Sequence, residues 1–154
     1  MEKRVTLKLH DGDLETGFSV SLQIGDEGAS PTAEILGGLP AAQELELLYQ
    51  RWQLAYRQLG LPLRLGVSRV GFATNVSHRE DCHNLAEELQ YAFNQWLRSE
   101  IFRPIQDKLL ERLNPDDTIR LIVQTQQDVL QRLPWHLWDI CDRYPKLEIA
   151  LSAP

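Results

Sequence analysis

The side chains with the widest chemical range in this chain are its two cysteines and four histidines. Cys141 and His136 are the pair nearest in type to a nucleophile and its base. Five residues apart on a helix, they project about 140° apart around the axis and do not meet. His78 and Cys82, four apart, fall on one helical face beside His83. Zinc would need two further ligands at the usual spacing, and no such partner motif occurs. Cys82 is therefore read as a small buried thiol, with the histidines at the start of a helix. Asp11, Asp13 and Glu15 crowd one turn, but the later Gly and Glu of a calcium loop are missing, so the carboxylates are expected to face water. The glycines at 12, 17, 25, 28, 37 and 38 match neither phosphate-loop spacing and serve as turn punctuation. These residues imply no cofactor, no metal and no catalytic group.

The remaining candidates are apolar: Trp135, Trp138, Leu147, Ile149 and Leu151. Ile119 to Gln124 is dense in aliphatic and β-branched residues, as a buried strand requires. Leu147 to Leu151 reads as a second strand. Between them Leu133 to Ile140 carries a helical pattern, with Pro134 near the first turn, where its missing N–H is harmless. A strand, a helix and a strand separated by about twenty residues make a parallel pair with a crossover, almost always right-handed. Trp135 and Trp138, three residues apart, are expected to clamp that helix against its sheet; an exposed patch for a partner is the second reading. An open parallel edge at Leu147 to Leu151 would be ready to accept a strand.

At these residues a family resemblance emerges. The buried strand, the turn, Leu133-Pro134-Trp135-His136-Leu137-Trp138, Arg143-Tyr144 and the ending Ala150-Leu151-Ser152-Ala153-Pro154 resemble the first part of the CHAT domain. This is a caspase-like cysteine-peptidase family, here in the version found in cyanobacterial multidomain proteins. Phe18 to Gly25, Leu48-Tyr49-Gln50-Arg51-Trp52 and Phe102-Arg103-Pro104-Ile105 resemble the segment preceding that core. The resemblance implies a fragment of a caspase-like α/β core. The family's His motif, Ala-Thr-His-Gly-like, and Cys motif, Ser-Ala-Cys-x-Thr-Gly-like, are both missing. Gly71-Phe72-Ala73-Thr74-Asn75 echoes the first, but Asn75 stands where His belongs, and the echo is read as chance.

The upstream elements frame that core. Val5, Leu7 and Leu9 alternate with Arg4, Thr6, Lys8 and His10, a half-buried strand ending in the turn Asp11-Gly12-Asp13. Phe18, Val20, Leu22 and Ile24 make the surer second strand, and Thr32 to Leu36 a shorter third before Gly37-Gly38. Neighbouring strands with short turns form an antiparallel meander. A first helix, about Ala41 to Leu59, carries a stripe of Leu45, Leu48, Tyr49, Trp52, Ala55, Tyr56 and Leu59, with Gly60 as its cap and Pro62 as its stop. Leu61 to Val76 fits neither period and reads as a loop with a short strand or a turn of helix. Ser77-His78-Arg79-Glu80 has the form of a capping box, opening a helix to about Ser99. Pro104, Ile105, Leu109, Leu110 and Leu113 mark a third helix. The fold class is α+β, read as one domain over 1–154: a strand meander (1–39), a helical segment (40–116) and the start of a CHAT-like core (117–154).

A net charge of −6 opposes binding to a phosphate backbone, and no basic run exceeds two residues. Two cysteines are too few for a secreted disulfide framework. No apolar run approaches the roughly eighteen residues of a membrane span, and the start has no signal-peptide core. The expectation is a cytoplasmic protein without nucleic-acid or membrane partners. It is read as a non-catalytic, regulatory amino-terminal part of a CHAT protein, packing against the remainder of that protein. The alternative is a stand-alone adaptor that binds a CHAT peptidase, or a second copy of itself, through the strand edge. An autonomous hydrolase ranks third, because no nucleophile and base come together.

Overall fold

Strict alternation of apolar and polar residues produces one mixed five-stranded sheet in the computed structural model, which describes residues 2–64 and 69–153, with side chains throughout except at 58–64, 69–79 and 81. The strands are β1 (Glu2–Asp13), β2 (Gly17–Asp26), β3 (Ala33–Leu39), β4 (Thr118–Gln124) and β5 (Leu147–Ser152), in the order β3-β2-β1-β4-β5. β1, β2 and β3 pair antiparallel, as a meander must, while β4 pairs parallel with both β1 and β5. The fold is α+β.

Register places one apolar set on one face. Val5 stands opposite Ile24 on one side and Leu121 on the other, and Leu121 opposite Ile149. Val5, Leu7, Val20, Leu22, Ile24, Ile119, Leu121 and Val123 are all at most 2% exposed. Burying each aliphatic side chain contributes about 1.5–3 kcal/mol, so this face dominates the stability of the sheet. Arg4, Thr6, Lys8, Arg120 and Gln124 occupy the opposite face, which is open.

Two strands run further than their turn residues suggest. β1 passes His10 through a bulge, in which the step from Leu9 to Gly12 faces the step from Val20 to Phe18. Gly12 adopts φ 138°, and a Cβ there would lie 2.0 Å from the Gly17 carbonyl oxygen. The turn is thereby delayed to Leu14-Glu15-Thr16, where the Asp13 carboxylate accepts from the backbone N–H groups of Glu15 (2.9 Å) and Thr16 (2.8 Å). β3 likewise continues through Gly37-Gly38 to Leu39. Gly37 is a packing residue there: a Cβ would come within 2.8 Å of Ile105 Cγ1.

The helices are α1 (Gln43–Arg64), α2 (Arg69–Leu97), α3 (Arg103–Arg112), α4 (Asp128–Arg132) and α5 (Ile140–Arg143), with 3₁₀ turns at Glu100–Phe102 and Trp135–Leu137. α1 does not stop at Gly60; the backbone stays helical through Pro62 to Arg64. Glycine is permitted, at about 1 kcal/mol, in right-handed helix. α2 begins at Arg69, so the Ser77 capping box lies inside a helix. Extending an existing helix by a residue is easier than nucleating a new one, which favours one long helix over a loop and a shorter one. The side chains of His78 and of Gly71 to Asn75 lie outside the described residues.

The expected single helix from Leu133 to Ile140 is replaced by α4, a 3₁₀ turn and α5. Pro134 is the cause. The residue before a proline is forced out of the helical region, and Leu133 takes φ −62°, ψ 153°. Trp138 is also extended at φ −62°, ψ 133°, which separates the 3₁₀ turn from α5.

The chain divides into two compact units, one made of the residues up to Ala42 and from Phe93 onward, the other of Gln43–Ala92. In the first, α3 and the Glu100–Phe102 turn pack on β3. In the second, Tyr49, Trp52 and Tyr56 stack along α1 with ring centroids 5.9 and 5.8 Å apart. Among the described residues no helix is long and apolar enough to cross a membrane.

Candidate functional site

Trp135 and Trp138 sit in the interior of the first unit, 2% and 3% exposed. Their rings meet edge to face at 6.2 Å. Trp135 also packs edge-on to Phe93 at 5.1 Å, and Trp138 against Phe102 at 6.0 Å. Through Phe93 and Trp96 the chain of rings reaches Phe18 on β2. Each such pair adds about 0.5–1.5 kcal/mol beyond burial. Two of the indole N–H groups are hydrogen-bonded: Trp135 donates to the Leu130 carbonyl at 2.7 Å and Trp96 to the Pro40 carbonyl at 2.8 Å. The link between β4 and β5, though made of three short pieces, is thus anchored at its centre.

Asn94 completes the anchor. Its Nδ2 donates to the Leu137 carbonyl at 3.0 Å, and its Oδ1 accepts from the Asp139 backbone N–H at 2.9 Å. One buried amide thereby holds both flanks of Trp138. Sequence reasoning passes over Asn94 because an Asn inside a helical pattern resembles any polar residue on a solvated face. A hint lies in its neighbours, since it sits between the apolar Phe93 and Trp96.

Leu147, Ile149 and Leu151 occupy β5, the end strand of the sheet. Their register puts them on the same face as the core, yet Leu147 and Ile149 are only half-buried and Leu151 is 45% exposed. β5 pairs with β4 and with no other strand among the described residues. Proteins usually guard such edges with lysine, proline, a bulge or a covering helix. β3, at the other end, is covered by α3 and a 3₁₀ turn and interrupted by paired glycines. β5 reads Leu-Glu-Ile-Ala-Leu-Ser: it has no lysine, proline or bulge, and its guards are its length of six residues and the charge of Glu148.

The titratable candidates are dispersed. Cys141 is half-buried with its thiol directed at the Trp135 carbonyl, 3.9 Å away, whereas His136 is exposed. Burial, and secondarily the charge of Asp142, push the Cys141 thiol above its ordinary value, which keeps it protonated near neutral pH. Cys82 is buried, while His83 pairs with Glu87 one turn on, at 3.0 Å. Asp13 is engaged by Thr16 and Glu15, and the hydrogen bonds from Thr16 hold its carboxyl below the ordinary range. Among the described residues, no three His, Cys, Asp or Glu side chains gather as a metal site would require.

Comparison with protein-family models, with curated proteins and with solved structures finds no match for this chain.

Proposed function

We propose that this chain is the non-catalytic, regulatory amino-terminal part of a CHAT caspase-like protein, acting in the cytoplasm by packing, with β5 as the edge to which the rest of that protein's sheet adds. The observation that carries the reading is the β5 edge: a six-residue parallel end strand without lysine, proline or bulge, following a linker anchored by two buried tryptophans. Backbone groups along such an edge supply affinity, and alternate side chains supply register. Leu147, Ile149 and Leu151 would extend the core face onto the added strand. Glu148, Ala150 and Ser152 would continue the open face.

A second reading rests on the exposure of Leu151. A stand-alone adaptor would use the same edge to bind a CHAT peptidase in trans or a second copy of itself.

The test is co-purification of this chain with a CHAT core expressed as a separate polypeptide, before and after the double substitution Ile149→Lys/Leu151→Lys. Edge lysines oppose strand addition while leaving the tryptophan interior in place. The expected result is capture by the parent, loss of capture by the variant, and retained cooperative unfolding in both. Equal capture by both would overturn the reading. Light scattering separates the alternatives: a dimer that the same lysines dissolve assigns the edge to self-association.

A further inference from the structure

Arg4 on β1 stands directly opposite Arg120 on β4, across strands about 4.8 Å apart. Like charges in that position are destabilising. Carboxylates outnumber the cationic side chains, 22 to 16, so partners are plentiful. Arg120 has a long contact with Glu27, at 3.8 Å, and stands opposite Glu148 of β5, while Lys3 takes Asp26 at 2.9 Å. Arg4 and Lys8, on the same face of β1, have no carboxylate within ion-pair reach among the described residues.

The groups around them suit an anion. Thr6 lies between the two cations on the same face of the strand, Gln23 stands opposite Thr6 on β2, and Gln124 stands opposite Lys8 on β4. Two clefts of about 330 and 360 Å³ run along this face and share Arg4, Thr6 and Gln124. That volume lies at the lower end of the range for small-molecule sites. A guanidinium fork, an ammonium, a hydroxyl and side-chain amide N–H groups supply donors, while one carboxylate lines each cleft, Asp26 (paired with Lys3) in the first and Glu148 in the second. Together the donors match the several acceptor oxygens of an oxyanion.

We propose that the Arg4–Thr6–Lys8–Gln124 cleft binds a small oxyanion carrying at least two negative charges, as a phosphoryl or dicarboxylate head group. A bound dianion would give Arg4 and Lys8 the counter-charge that no described carboxylate supplies within ion-pair reach, adding to that of Glu27 and Glu148 beside Arg120. The site lies on the open face, its second cleft bordered by Glu148, Ala150 and Ser152 of β5, and does not depend on the CHAT reading.

The test is a titration of the whole chain, followed by amide and side-chain NMR, with inorganic phosphate in one arm and succinate in the other. Ionic strength is held constant with sodium chloride so that screening does not change. Saturable shifts confined to Arg4, Thr6, Lys8, Gln23, Arg120 and Gln124 are expected in at least one arm. Saturation by phosphate alone identifies a phosphoryl head group, and saturation by succinate identifies a dicarboxylate. Arg4→Gln and Lys8→Gln should each weaken binding about tenfold or more, the scale of a lost charge-assisted hydrogen bond. Arg4→Gln should unfold at the same temperature as the parent or higher, because it removes a like-charge pair. Non-saturable shifts in both arms, or binding unchanged in both variants, would overturn the site. A lowered unfolding temperature of Arg4→Gln with binding intact would make Arg4 structural and overturn it as well.

Discussion

Replacing Asn94 by Ala should be among the most damaging single changes in the chain, although it removes only a few atoms. Asn94 is 5% exposed and bonds to two backbone groups, the Leu137 carbonyl at 3.0 Å and the Asp139 N–H at 2.9 Å. Alanine leaves both main-chain groups without that partner. An orphaned buried polar group costs about 1–3 kcal/mol, so the pair sums to about 2–6 kcal/mol, reduced where water reaches the site. With a urea dependence of about 2 kcal/mol per molar, the unfolding midpoint should fall by at least about 1 M. Asn94→Asp keeps the acceptor for Asp139 but loses the donor to Leu137 and sets a carboxylate near a carbonyl, so it should also destabilise. The assay is urea unfolding followed by tryptophan fluorescence in a Trp52→Phe background, so that the signal comes from Trp96, Trp135 and Trp138 of the first unit. A midpoint shift under about 0.25 M for Asn94→Ala would refute the claim that this amide holds the linker.

Trp135→Phe retains most of the buried area but abandons the hydrogen bond to Leu130, and should cost about 1–3 kcal/mol in the same assay; a neutral result would show that the indole N–H is dispensable. Gly37→Ala should destabilise by about 1–3 kcal/mol because its Cβ meets the fully buried Ile105. Combining it with Ile105→Ala should cost less than the sum of the single changes, and strict additivity would count against the contact. Asp13 should make a small contribution to acid unfolding. Its carboxyl is held below the ordinary range, so the ionised form stabilises the fold above about pH 4, and that contribution is lost as pH falls through the depressed value. Asp13→Asn should flatten this part of the acid-unfolding profile; superimposable profiles would refute the assignment.

The period-two strands were legible because alternation is local: Val5, Leu7 and Leu9 mark their face without reference to anything distant. Their partnership with Ile119, Leu121 and Val123 was not, since nothing near β1 announces a parallel neighbour contributed by the far end of the chain. Local turn signals misled in a consistent way. Gly12, Gly37 and Gly60 resemble stops, yet the first two serve a bulge and a close helix contact, and the third lies inside a helix. The Ser77 capping pattern failed because helix propagation through α2 overrode it. Pro134 resembles a tolerated first-turn residue, but its effect on Leu133 divides the linker between β4 and β5. Asn94 was invisible because its two partners lie more than forty residues away. Trp135 and Trp138 stood out by residue type alone, whereas the exposure of Leu151 follows from the place of β5 at the end of the sheet.

Hydrogen–deuterium exchange along β5 tests the central claim most directly, comparing the chain alone with the chain bound to a separately expressed CHAT core. Strand addition at this edge predicts at least about tenfold slower exchange in Leu147–Ser152 on binding, with β3 unchanged. Unchanged exchange throughout β5, or new protection appearing at Ala33–Leu39 instead, would contradict it.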